Sequence, residues 1–372
     1  MNRTLITGLG LLLSIGLSGV SAAPTPAPLW VTAYYPVWNQ EGGMGPAKID
    51  YSAITHLIHF AIVPRPDGAL SGITPAQSAA VVTCAHKGGD KVLLCLGGAN
   101  TGHVIGPVLT DAIRPTFIKN LIGFITARGY DGIDVDMEPI LTADEPNFIK
   151  FIEELRAEMK AANPKWLLTI PSSGDAGTQS KLCARLQANF DQINVQTYDL
   201  SGPWPGFKTW YNGSLYGNGR TSLTATRPYP SADNVLSSYL AAGVPKAKLG
   251  IGVAFYGYVW TGANGPAQSI QSVTTTTLAY SAIMDKYYRP DTYHWDTLAH
   301  APYLSVGAEG DPARKFISYD DARLAREKIQ YARSHGLGGM IIWELGQGYR
   351  DSQPAGRKDA LLQAVKKAAS GH

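Results

Sequence analysis

The sequence predicts an α/β fold: a (β/α)8 TIM barrel carrying a small α+β insertion between its seventh and eighth strands. Two observations lead there. Short, β-rich apolar runs recur eight times along the chain, and most are followed by a stretch with helical periodicity. Two connections, residues 199–229 and about 258–317, are too long for simple loops and both follow predicted strands. The alternative is an open, doubly wound sheet, which usually carries a Gly-rich phosphate turn after its first strand; YYPVWNQEGG is not such a turn.

Taken in order, the strand-like runs cover residues 30–36, 56–63, 91–96, 132–137, 166–171, 192–198, 248–256 and 338–343. Helical periodicity covers 75–86, 114–128, 144–162, 231–242 and 320–335. A closing helix is expected over 358–369, although no clear N-cap residue directly precedes it. The first long connection is rich in Gly, Trp and Tyr. The second carries β-branched residues at 272–277, a helical stretch at 278–288 and further aromatics, which reads as a small subdomain. Both belong on the C-terminal face of the barrel, where active sites of this fold are built.

The chain has 372 residues, 45% hydrophobic and 16% charged, with a formal charge of +3. That composition suits a large packed core. No Lys/Arg cluster is interleaved with aromatics, which argues against nucleic-acid binding. At the N-terminus, Arg3, the apolar segment 5–20 and the small residues Val20-Ser21-Ala22 have the form of an export signal. Residues 1–22 are therefore expected to be removed. Residues 23–372 then form a secreted or periplasmic catalytic barrel with no membrane contact, expected as a monomer. Cys84, Cys95 and Cys183 match no zinc spacing and read as small buried hydrophobes, with at most one disulfide among them.

The chemistry concentrates in DGIDVDMEP, residues 131–139. Ile133, Val135 and Met137 alternate with Asp134, Asp136 and Glu138, so on a strand the three acids share one face. On a barrel strand they would line the interior, with Glu138 at the rim. Crowded acids titrate as a coupled set, and the rimward Glu138 beside an ionised Asp136 is the candidate general acid. A solvated acidic strand is the plain alternative, and a Mg²⁺ or Ca²⁺ cluster the sharper one. Against metal, the EF-hand spacing is absent and the other strand ends offer aromatics rather than acids. Those ends carry Tyr34, Tyr35, Phe60, Tyr198 with Asp199, Tyr256 and Trp343. Trp204, Trp210, Tyr211, Tyr216 and Trp260 in the long connections would extend an aromatic groove suited to the C–H faces of a sugar polymer.

DGIDVDMEP resembles the Asp-x-x-Asp-x-Asp-x-Glu signature of glycoside hydrolase family 18, the chitinase family. LCLGG, QTYD, GVAFYG, FISYDD and GGMIIWELG resemble that family's later motifs in the same order, across nearly the whole mature chain. The resemblance implies retaining, endo-type hydrolysis of β-1,4-linked N-acetylglucosamine polymers, with the substrate's own acetamido oxygen as nucleophile. No metal or cofactor is implied, and chitin or another N-acetylglucosamine-containing glycan is the implied partner. Glu138 would be the acid, Asp136 would orient the acetamido group and Asp134 would share a proton with Asp136. Tyr198 would donate to the acetamido oxygen. Asp199, Trp343, Tyr256, Tyr34, Phe60, Trp204 and Trp260 would contact sugar. An endo-β-N-acetylglucosaminidase acting on N-glycan cores and an inactive chitin-binding lectin are the alternatives. Three positions depart from the family pattern: Cys95 for Ser, Gln196 for Met and Tyr258 for Arg.

Overall fold

The computed structural model describes residues 28–174, 177–204, 206–217 and 229–371. The leader expected at 1–22 lies outside the described residues. Eight parallel strands form the centre: β1 (Trp30–Pro36), β2 (His56–Pro64), β3 (Lys91–Gly98), β4 (Gly132–Met137), β5 (Leu167–Ser172), β6 (Gln192–Val195), β7 (Leu249–Ala254) and β8 (Gly339–Trp343). Each pairs with its successor, and β1 pairs with both β2 and β8, so the ring is closed. Around it lie α1 (Pro75–Gly88), α2 (Arg114–Arg128), α3 (Glu145–Ala162), α4 (Gln179–Leu186), α5 (Ala232–Ala241), α6 (Ala322–His335) and α7 (Ala360–Ser370). Closure removes every sheet edge, so the expected barrel is the one observed.

The two-residue period of the strands sorts side chains into two cores. Outward residues such as Ile133, Val135 and Met137 of β4 join the large apolar layer beneath the helices. Inward residues Tyr34, Ile58, Leu93, Cys95, Ala254 and Ile341 form a separate cluster inside the ring. The helices start where the local sequence satisfies their free N–H groups. Thr74 and Gln77 form a capping box ahead of Pro75, and Asp321 accepts from the backbones of Arg323 and Leu324.

Three elements differ from expectation. Helix α4 was not anticipated: its two turns are too short for periodicity to stand out. Strand β6 stops at Val195, where the Thr197 N–H turns back to Val195 O at 2.8 Å. Further on, Asp199 takes a left-handed backbone at φ 54°, its N–H donating to Asn212 Oδ1 at 2.8 Å. The seventh run splits in two. β7 ends at Ala254, and Tyr256–Thr261 opens a five-stranded antiparallel sheet, in the order 274–279, 256–261, 315–319, 301–306, 293–296. This sheet is the insertion. Its apolar core includes Trp210, Tyr211 and Tyr229 from the preceding long connection, packed with Trp260 and Phe316. All three cysteines are free thiols.

The chain returns from the insertion through a buried ion pair. Lys328 Nζ lies 2.6 Å from Asp320 Oδ2, both side chains are fully enclosed, and Lys328 also donates to Gly252 O at 2.9 Å. Asp320 in turn accepts from Ala254 N–H at 3.2 Å, so the pair clamps the end of β7. Removing one partner strands a buried charge. Lys328→Met is therefore expected to lower the unfolding free energy by about 3–5 kcal/mol, read by urea denaturation against the parent chain.

Candidate active site

The C-terminal end of β4 carries the acids in order of depth. Asp134 is 0% exposed, Asp136 is 3% exposed and Glu138 is half-buried at the rim. Two glycines make room for them. Gly97 and Gly98 at the end of β3 have φ of 104° and 128°. A Cβ at Gly97 would lie 2.3 Å from Asp136 O, and one at Gly98 would lie 2.5 Å from the Phe60 ring. Only glycine lets β3 approach this closely.

Asp134 is held by two hydroxyls: Tyr34 Oη donates to Oδ2 at 2.8 Å and Thr169 Oγ1 to Oδ1 at 2.5 Å. Burial pushes its pKa up to about 6, against the downward pull of hydrogen bonds from Thr169, Tyr34 and Cys95. Asp136 is pushed up by burial, then by the charge of Glu138 and a hydrogen bond to it. Two carboxylates this close cannot both ionise cheaply, so Asp136 is held toward its protonated form. Asp136 senses Glu138 first and Asp134 after it. It lies deeper than Glu138 and loses more hydration on ionising.

Tyr198 stands beside this pair. Its hydroxyl is buried with no hydrogen-bond partner, and burial followed by the charges of Glu138 and Asp199 keeps it a protonated donor. Asp199 accepts from the hydroxyls of Tyr256 and, at 3.0 Å, Tyr258. Tyr34 and Phe60 pack on Trp343 with ring centroids 5.2 and 5.0 Å away. Phe60 and Trp343 are partly exposed at the mouth. Tyr34, 1% exposed, lies beneath them against Asp134 and, contrary to expectation, offers no face to a sugar. Two hollows flank the acids. One of about 240 Å³ is lined by Asn100, Glu138, Pro139 and Gln179; the other, about 380 Å³, by Asp199, Tyr256, Tyr258, Trp343 and Gln347. A further hollow of about 510 Å³, lined by Pro115, Ile118 and Glu158, lies between α2 and α3 on the outer wall, away from the strand ends.

Most expected site residues therefore converge, but not all. Trp260 is 0% exposed inside the insertion core, as are Trp210 and, nearly so, Tyr211. Tyr256, Tyr258 and Trp260 share one face of a strand, yet the segment around Trp210 covers its far end. Trp260 offers no surface to a sugar. Trp204 stays 42% exposed. Asp131 lies at the opposite end of β4, bonded to Val92 N–H at 2.9 Å and His86 at 2.8 Å, in a supporting role. Sequence reasoning passed over Trp38, which is 49% exposed with its ring 5.6 Å from Phe60. Its position directly after β1 was the available signal. Gln196 was noted only as a departure, yet its Nε2 donates to Glu138 Oε1 at 2.7 Å. Among the described residues, no group of three or more His, Cys, Asp or Glu is placed to hold a metal ion.

A raised carboxyl pKa in the folded state favours folding at low pH and stops doing so as pH rises through the folded value. Asp134 should therefore cost stability between about pH 4 and 6. Asp134→Asn is expected to raise the melting temperature at pH 7 and to leave it nearly unchanged at pH 4, as followed by calorimetry at the two pH values.

Comparison with known proteins gives the family. The family model described as glycosyl hydrolases family 18 matches residues 31–348. Chitinase A1 of Niallia circulans is 30% identical over 286 residues, which is 68% of this chain but 40% of that protein's length. This chain thus spans less than half of that relative. A chitinase-like effector of Moniliophthora roreri is 27% identical, covering 94% of this chain and 96% of its own. In fold, the chain is similar to the crystal structure of Ostrinia furnacalis Group IV chitinase, with a TM-score of 0.78 and 22% identity over 92% of this chain and 100% of that one. On the match across its barrel and acid row, the chain belongs to glycosyl hydrolases family 18.

Proposed function

We propose that this protein is a retaining, endo-acting chitinase that cleaves β-1,4-linked N-acetylglucosamine polymers by substrate-assisted catalysis. The observation that carries the reading is the arrangement of three groups. Glu138 stands on the rim above Asp136, which burial and the Glu138 charge hold toward its protonated form, and beside them the Tyr198 hydroxyl is buried with no hydrogen-bond partner. One acid, one orienting carboxylate and one free donor are what a substrate bringing its own nucleophile requires.

Glu138 gives its proton to the glycosidic oxygen as the bond to the anomeric carbon breaks. The acetamido carbonyl oxygen of the same sugar attacks that carbon from the other face, forming an oxazolinium ion. Asp136 accepts the acetamido N–H and balances the positive charge, while Tyr198 donates to the carbonyl oxygen and aligns it. Glu138, now a carboxylate, takes a proton from water as the water attacks the anomeric carbon. The ring opens with overall retention and the acid is restored. Trp343 with Phe60 supplies an apolar surface for the sugar ring, and Tyr34 supports both from beneath.

A second reading, glycan binding without hydrolysis, is favoured by the relative of matching length whose name is chitinase-like effector. The two readings separate on Glu138. We expect Glu138→Gln to lower kcat on chito-oligosaccharides by about 10²–10⁴-fold while calorimetric binding of the oligosaccharide persists. A parent chain with no turnover would favour the binding protein. Glucose oligomers with the same linkage but no acetamido group should not be cleaved, and a chelator should leave the rate unchanged. The export reading of residues 1–22 predicts a secreted product whose N-terminal sequence begins near Ala23.

A further inference from the structure

We propose that Gln196 is a positioning residue that fixes which oxygen of Glu138 carries the catalytic proton and thereby sets the alkaline edge of the working range. The inference rests on Glu138 being the acid. Gln196 lies one residue beyond β6, and its backbone is anchored on both sides. Its own N–H donates to Ser172 O on β5 at 2.8 Å. The next residue, Thr197, exchanges two 2.9 Å bonds with Gly252 on β7. From this fixed base the side chain reaches across the barrel mouth to Glu138, 58 positions away in sequence, and its Nε2 donates to Oε1 at 2.7 Å. That is the short end of N–H···O distances, as for a bond to a charged oxygen.

With Oε1 occupied by the amide, Oε2 is the oxygen left to hand a proton to the leaving group. The surroundings leave the amide an unusual part. Among the described residues, the titratable groups that sense Glu138 are Asp134 and Asp136 on β4, Cys95 on β3, and Tyr198 and Asp199 beyond β6, and none of these is a cation. A neutral N–H donor in a ring of acids and phenols favours the carboxylate form of Glu138 over the acid form. The acid form is then lost at a lower pH than it would be beside the Met common at this place in the family, which has no N–H to donate.

The test is the pH profile of kcat/KM on a soluble chito-oligosaccharide for the parent, Gln196→Met, Gln196→Glu and Glu138→Gln chains. Gln196→Met removes the donor at similar volume and should move the alkaline limb up by about half to one pH unit, the size one hydrogen bond implies. Gln196→Glu puts a like charge at the same place and should move it further. KM should stay within about twofold in both, as expected when the group acts only through Glu138. An unmoved limb would overturn the inference. So would a downward shift, which would mean that the amide oxygen faces Glu138 and accepts its proton, or a large change in KM with the limb in place, which would make Gln196 a sugar contact. An active Glu138→Gln chain would overturn the assignment of the acid itself. An inactive one beside an unmoved Gln196→Met limb would overturn this inference alone.

Discussion

Two carboxylates stacked inside a closed ring of strands are the constraint around which the rest of this molecule is arranged. Taking an ionised acid out of water costs several kcal/mol unless it is paired, hydrogen-bonded or neutralised. Asp134 is met by the hydroxyls of Tyr34 and Thr169, and Asp136 is held toward its neutral form. The first solution depends on strands other than β4: Tyr34 comes from β1 and Thr169 from β5. The ring therefore has to close in register before the acids are tolerable. The close approach at Gly97 and Gly98 serves the same end, because a wider gap would let water in and relax the depth difference between Asp134 and Glu138.

The acids follow the family signature, while three of the groups beside them depart from the family pattern. Cys95 donates to Asp134, Gln196 to Glu138, and Tyr258 joins Tyr256 on Asp199. These are the same three positions at which the sequence departs from the family pattern. Two of the changes swap one donor for another of different strength, and the third adds a donor where a thioether has none. A thiol donates more weakly than a hydroxyl, an amide donates where a thioether could not, and a phenol binds a carboxylate without bringing a charge.

What could be read from the sequence was whatever repeats locally. Alternation in DGIDVDM announces both a strand and its two faces, and the structure sends Ile133, Val135 and Met137 outward and the acids inward. Eight such runs suffice for the barrel because closure follows from strand count and helical spacers. Coverage by distant segments could not be read. Trp260 looks like a groove residue because nothing near it in sequence says that Trp210 and Tyr229 will close over it. The Gln196–Glu138 contact spans 58 positions and leaves no periodic trace. The eight residues of α4 were invisible for a simpler reason: two turns do not establish a helical period.

The insertion joins the barrel with a single residue between β7, which ends at Ala254, and its own first strand, which starts at Tyr256. That strand carries Tyr256 and Tyr258, the two phenols on Asp199. The subdomain is therefore no accessory bolted to a finished enzyme. A minimal barrel obtained by trimming it away would lose the support of a site acid along with the wall of the groove. Any graft of a foreign insertion would have to keep its first three residues and exchange only what lies beyond them. The practical boundary of exchange in this fold falls inside a strand, where no domain-parsing rule would cut.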